Sequence, residues 1–299
     1  MDNAKKLQEY EYLMLLRKAV KSGKYRKPDD EEGRYELFGE QLKFDLTGNT
    51  IPLLTTKKVY FRSLAAEMLW FLSGSQNIQL LRDNNVKIWD AWANDSGDVG
   101  ALYGYQWRHW QVDKEAMTKY PERYKHVVDG EIDQLKQVMN TLANRPEARS
   151  HVMTCWRPDH LPLMSIKPCH GLVVQFYAID NELSCCMYQR SCDLFLGVPF
   201  NIAQYSLLTH MVAHQLGMQA KEFIWNGGDT HIYENHVEQA NQQLENPILR
   251  PPTLSMVGDK PDAIDRYTLD NFRINNYEHA KPIKADVSLQ GKPGTGVAL

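Results

Sequence analysis

The sequence contains no long apolar segment, which excludes an ordinary membrane-spanning helix. Nowhere in its 299 residues do about 18 apolar residues follow one another without a charge. The N-terminal stretch MDNAKKLQEYEYLMLLRKAV also lacks the apolar centre of a signal peptide. We therefore expect a cytoplasmic protein that has no membrane partner.

An excess of positive charge is absent as well. The formal net charge is −3 at pH 7, whereas proteins that bind nucleic acid usually have a strongly basic surface. We therefore expect no nucleic-acid partner. Local clusters of basic residues remain compatible with binding a small phosphate.

Cysteine is scarce and irregularly spaced. The five cysteines are Cys155, Cys169, Cys185, Cys186 and Cys192, an odd number without the spacing of a disulfide framework. Cys185 and Cys186 are adjacent in a predicted strand and so point to opposite faces, which argues against a shared zinc site. We predict reduced thiols and no metal.

What the sequence does contain is a mixture of helical and strand patterns. Apolar spacing predicts helices at 5–22, 61–74, 129–145, 202–217 and 230–246. Runs rich in β-branched and aromatic residues predict adjacent strands at 150–156, 171–179 and 182–190, and the charged stretch 21–36 predicts an exposed loop.

These patterns predict one α+β domain over residues 1–299, with a central mixed β-sheet backed by helices. A hydrophobic content of 43% is enough for a sizeable core in a chain of this length. Residues 290–299, QGKPGTGVAL, have a loop-like composition, and we expect them to be a C-terminal extension or a lid.

Cys169 lies between a proline and an apolar run in SIKPCHGLVVQFY, at the entry to a predicted buried strand. Most free cysteines in such positions are small buried hydrophobes. A reactive thiolate needs a nearby cation, which Arg190 supplies if the strands are neighbours. His170 follows at once, but consecutive strand side chains point to opposite faces, so no hydrolase dyad is expected. Nucleophile and buried filler both remain open.

Glu67 lies inside the apolar helix AAEMLWFL, where an unpaired carboxylate is costly. It is therefore either part of a structural hydrogen-bond network or raised in pKa for use as an acid or base. Trp89 and Trp92 in IWDAW either belong to the core or wall a pocket for a flat ring.

Three polar residues near predicted helix starts also have two readings each. Asn201 in LGVPFN is either a helix N-cap or an amide that pairs with a planar heterocycle. His231 and Tyr233 follow the Gly-Gly turn of GGDTHIY, and they either cap an element or bind a hydroxyl group. Spacing alone does not separate these readings.

Several long motifs occur together and in order: LLTTKKVYFRSLAAEMLWFLSG, NNVKIWDAW, YGYQWR, PCHG, QRSCDLFLGVPFNIAQYSLL and GGDTHIYENH. On these motifs the chain resembles the thymidylate synthase family from about residue 8 to residue 289. The resemblance implies that family's fold and methylation of dUMP at C5, with 5,10-methylenetetrahydrofolate as donor of one carbon and a hydride. The alternative within the family is a dUMP hydroxymethylase, in which water replaces the hydride.

The resemblance also implies a role for each matching residue. The catalytic positions are the nucleophile Cys169, the proton-handling Glu67 and Tyr103, and Arg190 and Asp193. The substrate-binding positions are Asn201, Gln189, Ser191, His231, Tyr233 and Arg149. Arg26 and Arg34 do not fall in the family's phosphate-binding motif, and we predict that one of them fills that role. The folate-binding positions are Trp89, Trp92, Asp193 and Lys57, the last for the glutamate tail. Asparagine at 201 implies uracil, because aspartate there would suit cytosine.

Two departures from the family pattern concern the phosphate and the C-terminus. The family's two adjacent arginines, donated across a homodimer interface, are reduced to Arg149 followed by Ser150, and the N-terminal phosphate loop is irregular around Arg26 and Arg34. We expect a homodimer with Arg149 donated to the partner, and either weaker phosphate binding or a rebuilt loop. Residues 290–299 extend or displace the family's C-terminal lid, and a leaky lid would favour water.

Overall fold

Six strands form the main β-sheet of the computed structural model, which describes residues 2–29 and 31–285. The strands of the described chain are β1 (Lys24–Arg26), β2 (Arg34–Asp45), β3 (Trp110–Gln111), β4 (Glu131–Ile132), β5 (Val152–Thr154), β6 (Val173–Ile179), β7 (Glu182–Asp193), β8 (Gln219–Tyr233), β9 (Thr253–Met256) and β10 (Phe272–Asn275). The main sheet has the order β1-β2-β8-β7-β6-β5, and β3–β4 and β9–β10 form separate two-stranded ribbons.

The α-helices of the same residues are α1 (Asp2–Ser22), α2 (Phe61–Ser73), α3 (Gln79–Asp83), α4 (Tyr103–Arg108), α5 (Lys114–Lys119), α6 (Gln134–Asn144), α7 (Gly197–Leu216) and α8 (Val237–Leu244). α1 packs on β2, α7 packs on β7 and β8, and α2 packs against α7. α2 and α7 are apolar on nearly all sides and lie buried, as expected for helices enclosed by other elements.

The sheet is mixed because β7 and β8 are parallel, whereas the other paired strands are antiparallel. A parallel pair needs a long crossover, and α7 provides it. The predicted α+β fold, a single compact domain with a mixed sheet backed by helices, is therefore confirmed. α2 also ends where the sequence indicates, at Gly74 with φ +71°.

The prediction of a fully buried β6 is wrong for this chain alone. Side chains of β6 alternate between buried and exposed, with Val173, Tyr177 and Ile179 on the exposed side. Val152 on β5 and Tyr188 on β7 are exposed as well. Within the described residues, this end of the sheet has helices on one face and an apolar, uncovered opposite face.

The stretch 21–36 is a loop only in its middle part, because α1 continues to Ser22 and residues 24–26 and 34–36 are in strands. β1 and the start of β2 form an antiparallel hairpin in which Tyr25 pairs with Tyr35 and Arg26 pairs with Arg34. The hairpin forms because β2 pairs with β8 along its length, which draws the charged residues into the sheet edge.

The predicted helix 230–246 begins too early, since β8 continues to Tyr233 and α8 starts only at Val237. Gly227 and Gly228 lie inside β8 and form no turn. A Cβ on Gly228 would lie 2.6 Å from the Tyr188 hydroxyl, so close approach explains this glycine. α6 likewise starts at Gln134, behind the N-cap Asp133. The predicted extension 290–299 lies outside the described residues.

Candidate active site

Cys169 lies in the loop before β6 and is held from two sides. Its backbone N–H donates to the Tyr103 hydroxyl at 3.1 Å, and its carbonyl accepts from the backbone N–H of Arg190 at 2.7 Å. The Tyr103 hydroxyl also lies 3.4 Å from the Cys169 sulfur. α4 and β7 therefore fix the thiol in one place.

The surroundings of the thiol both oppose and favour its ionisation. Burial raises the pKa of Cys169, while the Tyr103 hydrogen bond and the Arg190 charge partly offset that rise. Arg190 is itself positioned: its Nε donates to the Pro168 carbonyl at 3.2 Å, and its guanidinium lies 5.6 Å from the centre of the Trp156 ring. The structure thus brings together the cysteine and the cation that the sequence pairs.

His170 is not oriented as a base for Cys169. Its Nδ1 lies 3.0 Å from the Tyr205 hydroxyl, and its ring stacks on Tyr103 at 4.6 Å. Burial lowers the pKa of His170 to about 3, so the imidazole is neutral. The sequence argument against a Cys169–His170 dyad relied on the alternation of strand side chains, but both residues precede β6. The imidazole instead points away from the thiol because it contacts the Tyr205 hydroxyl.

Glu67 projects from α2 into the same interior space. Trp89 Nε1 donates to one carboxylate oxygen at 2.5 Å, and Gln204 Nε2 donates to the other at 2.8 Å. Burial raises the pKa of Glu67 to about 7, against the effect of these two donors. Its charge in turn raises the pKa of Cys169, so the two groups are electrostatically coupled. Both alternatives from the sequence therefore apply to Glu67: its carboxylate is hydrogen-bonded, and its pKa is raised.

Replacing Glu67 by glutamine should remove a specific pH dependence of stability. The pKa of the folded state, about 7, exceeds the ordinary value of 4.5, so the folded protein binds more protons between these values. The free energy of unfolding should therefore fall as pH rises from about 4.5 to about 7, by on the order of 3 kcal/mol from this group. Urea unfolding of wild type and Glu67→Gln at pH 5 and pH 8 measures the difference; parallel pH dependences would contradict a neutral buried Glu67.

Asn201 belongs to a chain of amide contacts whose orientation is set by a tryptophan. Trp225 Nε1, which can only donate, reaches Gln189 Oε1 at 2.9 Å. Gln189 Nε2 must therefore donate, and it meets Asn201 Oδ1 at 2.9 Å. Asn201 Nδ2 is left to donate elsewhere, and Oδ1 keeps one lone pair. Asn201 is the fifth residue of α7, so the N-cap reading is wrong.

Asp193 and Lys57 lie close together at the start of α7. The Asp193 carboxylate accepts from the backbone N–H of Phe195 at 3.0 Å and of Leu196 at 3.1 Å. Lys57 is 3% exposed, donates to the Phe195 carbonyl and lies over the Phe195 ring. Burial lowers the pKa of Lys57 to about 7, and Asp193 opposes this. In this conformation the ammonium points inward, so contact with a folate tail requires it to turn outward.

His231 and Tyr233 lie at the end of β8 and not at a helix start. In the sheet register, His231 pairs with Asp193 of β7, and Asp229 pairs with Ser191. His231 Nδ1 lies 2.9 Å from the Asp229 carboxylate, which can only accept, so Nδ1 donates; in the neutral imidazole Nε2 is then an acceptor. Nε2 is buried and has no partner among the described residues. It is therefore available to a ligand hydroxyl group.

The three arginines expected at the phosphate are not gathered in one place. Arg26 and Arg34 lie on the β1–β2 hairpin, where both are ion-paired with glutamates. Arg149 is exposed and precedes β5, at the opposite edge of the sheet. Ser150 next to it is exposed as well.

The two tryptophans of IWDAW form one wall. Trp89 is buried, and its ring centre lies 5.7 Å from that of Trp92 and 5.8 Å from that of Tyr103. Trp92 is only partly buried as a residue, but its Nε1 is buried without a partner among the described residues. The wall therefore combines apolar ring surface with one available donor.

Four residues of this region were not singled out by sequence: Gln204, Trp225, Glu31 and Glu36. Gln204 could have been predicted from the sequence, because it is polar within the apolar α7 and lies three residues after Asn201, on the same side of the helix. Trp225 could not, since its contact with Gln189 spans 36 positions.

Across residues 2–29 and 31–285, no group of three or more His, Cys, Asp or Glu side chains is arranged to hold a metal ion. In that same part of the chain, no helix is long and apolar enough to cross a membrane. The five cysteines are free.

One cluster contains Cys169, Arg190, Glu67 and Asn201, and such an arrangement is typical of enzymes that use a cysteine nucleophile beside a proton-handling carboxylate. A family model described as thymidylate synthase matches residues 10–289. The chain therefore belongs to the thymidylate synthase family, and the resemblance seen in its motifs is confirmed. Enzymes of this family act on dUMP with methylenetetrahydrofolate.

Proposed function

We propose that the protein methylates dUMP at C5 to give dTMP, with 5,10-methylenetetrahydrofolate as co-substrate. The observation that carries the proposal is that one connected cluster holds the Cys169 thiol, the Glu67 carboxylate with its raised pKa and the Asn201 amide. Gln204 links the helix of Asn201 to Glu67, and the Glu67 charge acts on Cys169. Cysteine attack and proton transfer would thus occur next to a group that recognises the pyrimidine.

Recognition of uracil is assigned to Asn201. Its Nδ2 is left as a donor by the contact with Gln189, which suits the uracil O4, and the spare lone pair of Oδ1 suits N3–H. Cytosine presents the reversed pattern at both positions, so buried groups would stay unpaired. We therefore assign uracil as the base.

The chemical step follows from these positions. The Cys169 thiolate forms a bond to C6, and the displaced electron pair moves through C5 to O4, where Asn201 Nδ2 and the protonated form of Glu67 can stabilise it. C5 becomes the carbon nucleophile toward the one-carbon unit of the folate. Its proton later leaves to a water molecule hydrogen-bonded to the Tyr103 hydroxyl, because burial raises the pKa of Tyr103 and keeps the phenol itself protonated. The folate supplies one carbon and a hydride when bound. Expulsion of sulfur from C6 restores the free thiolate.

The sugar and phosphate are assigned to the ends of β7 and β8. His231 Nε2 can accept from the ribose 3′-hydroxyl, with Tyr233 beside it at 5.0 Å between ring centres. Arg190 and Ser191 would bind the phosphate, and binding there would place a dianion against the same cation that supports the thiolate.

The folate ring is assigned to the wall of Trp89 and Trp92. The wall fits a flat heterocycle because it offers ring surface and the unpartnered Trp92 Nε1. Asp193 would contact the ring, and Lys57 would turn outward to the glutamate tail. Trp89 is anchored to Glu67, so it can shield the one-carbon group transferred to C5 from water.

A homodimer is part of the proposal. Val173, Tyr177 and Ile179 are 43%, 60% and 53% exposed on the uncovered face of the sheet, which favours burial against a second copy. Arg149 lies at the edge beside this face, where it can reach a partner's phosphate site. A monomeric mass at micromolar concentration in sedimentation equilibrium would contradict this. The free cysteines support a reducing compartment such as the cytoplasm.

The hydroxymethylase remains the second candidate because of the sequence that follows residue 289. Residues 290–299, QGKPGTGVAL, lie beyond the part of the chain that the family model matches, and a looser closure over the site would favour entry of water. Incubation with dUMP and methylenetetrahydrofolate, with identification of the nucleotide product by mass, tests the proposed methylation against this candidate.

A further inference from the structure

The two arginines of the β1–β2 hairpin are already ion-paired within the chain. Arg34 donates to Glu31 at 2.5 Å and to Glu36 at 2.8 Å. Arg26 Nε donates to Glu36 at 2.9 Å. These four residues form the hairpin ion-pair cluster, which contains two arginines and two glutamates and so has no net charge.

The hairpin ion-pair cluster lies beside the sugar end of the proposed site. In the pairing of β2 with β8, Glu36 is the direct partner of His231, and Arg34 is the direct partner of Tyr233. Directly paired residues of neighbouring strands point to the same face of the sheet. Arg34 also acts electrostatically on Asp229, the partner of His231. A nucleotide held by His231 would therefore present its phosphate within reach of this cluster.

Burial makes the cluster a strong competitor for an anion. The side chains of Arg34 and Glu36 are only 14% and 13% exposed, so solvent screens their interaction weakly. Arg34 has two carboxylates in place, one on each side of its guanidinium. A phosphate that approaches Arg34 must displace a carboxylate or lie next to it, and like charges at that distance repel.

On the basis of the proposed function, we propose that Glu36, assisted by Glu31, is a specificity-determining residue of the phosphate subsite. Glu36 competes with the 5′-phosphate for Arg34 and Arg26. It thereby reduces the preference of the site for a doubly charged phosphate over a singly charged or uncharged 5′-group.

The test is a set of dissociation constants measured by titration calorimetry with three ligands of decreasing charge. The ligands are dUMP, its 5′-methyl ester and deoxyuridine. Glu36→Gln should bind dUMP about tenfold more tightly than wild type, and the methyl ester about threefold, because one competing charge is removed. Deoxyuridine should bind both proteins equally.

Glu40→Gln is the matched control. Glu40 lies on the same strand and is also ion-paired, with Lys18 at 2.6 Å, but it is outside the cluster. Glu40→Gln should leave the dissociation constants of all three ligands unchanged. Glu31→Gln offers a second variant at a more exposed position, 26% exposed, and should give a smaller gain for dUMP in the same direction.

Equal or weaker dUMP binding by both Glu36→Gln and Glu31→Gln, in a wild-type background that binds dUMP, would overturn the inference and leave the proposed function intact. An equal gain for deoxyuridine would also overturn it, because the effect would then not depend on phosphate. Absence of dUMP binding in wild type and in both variants would contradict the proposed function and the inference together.

Discussion

Cys169→Ser is expected to abolish turnover of dUMP and release of tritium from dUMP labelled at C5. A serine hydroxyl is not ionised by the Tyr103 hydrogen bond and the Arg190 charge, and it cannot add to C6 at neutral pH. The loss of kcat should be at least about 10⁴-fold, as for removal of other enzymatic nucleophiles. Binding of dUMP should persist, because base, sugar and phosphate contacts are assigned to other residues.

Cys186→Ser is the matched control for this experiment. Cys186 is half-buried on the opposite side of β7 from the core and accepts from Asn226 Nδ2 at 3.0 Å. It should retain near wild-type tritium release. Retained release in Cys169→Ser would remove Cys169 from the mechanism and return it to the role of a buried structural cysteine.

Asn201→Asp is expected to change the base preference of the enzyme from uracil to cytosine. Gln189 Nε2 is held as a donor by Trp225, so it can donate to a carboxylate oxygen as it does to Asn201 Oδ1. The second carboxylate oxygen then replaces the Nδ2 donor with an acceptor, which repels O4 of uracil and suits the N4 amino group of cytosine, while a proton held between the carboxyl group and N3 pairs the other position. The value of kcat/KM for dUMP should fall by roughly 10³-fold, and turnover of dCMP should become measurable.

Asn201→Ala distinguishes this exchange from simple damage. It removes the amide without adding an acceptor, so it should lose dUMP turnover and gain none with dCMP. Unchanged dUMP turnover in Asn201→Asp would contradict the assignment of the base contact.

Local patterns predicted most of the helices and the strands next to the site. α2 ends at Gly74, and β6, β7 and α7 lie where apolar spacing places them. The hairpin of β1 and β2 could not be predicted, because its charged residues form a strand only through pairing with β8, nearly 200 positions away. Long-range pairing overrode local composition there.

In the candidate site, too, some residues were predictable from the local sequence and others were not. Cys169, Glu67 and Asn201 were candidates because their residue types conflict with their apolar surroundings. Their partners were not predictable from spacing: Gln204 meets Glu67 across 137 positions. The glutamates that neutralise Arg34 read as part of a solvated loop until the hairpin brings them into contact.

The central claim is that the protein transfers a methyl group to C5 of dUMP, and one assay tests it directly. Purified protein is incubated with dUMP and 5,10-methylenetetrahydrofolate while dihydrofolate absorbance is followed. The mass of the nucleotide product is then measured by mass spectrometry. We expect a product heavier than dUMP by one methylene, formed in equal amount with dihydrofolate. A 5-hydroxymethyl product with tetrahydrofolate left unoxidised, or unchanged dUMP, would contradict the claim.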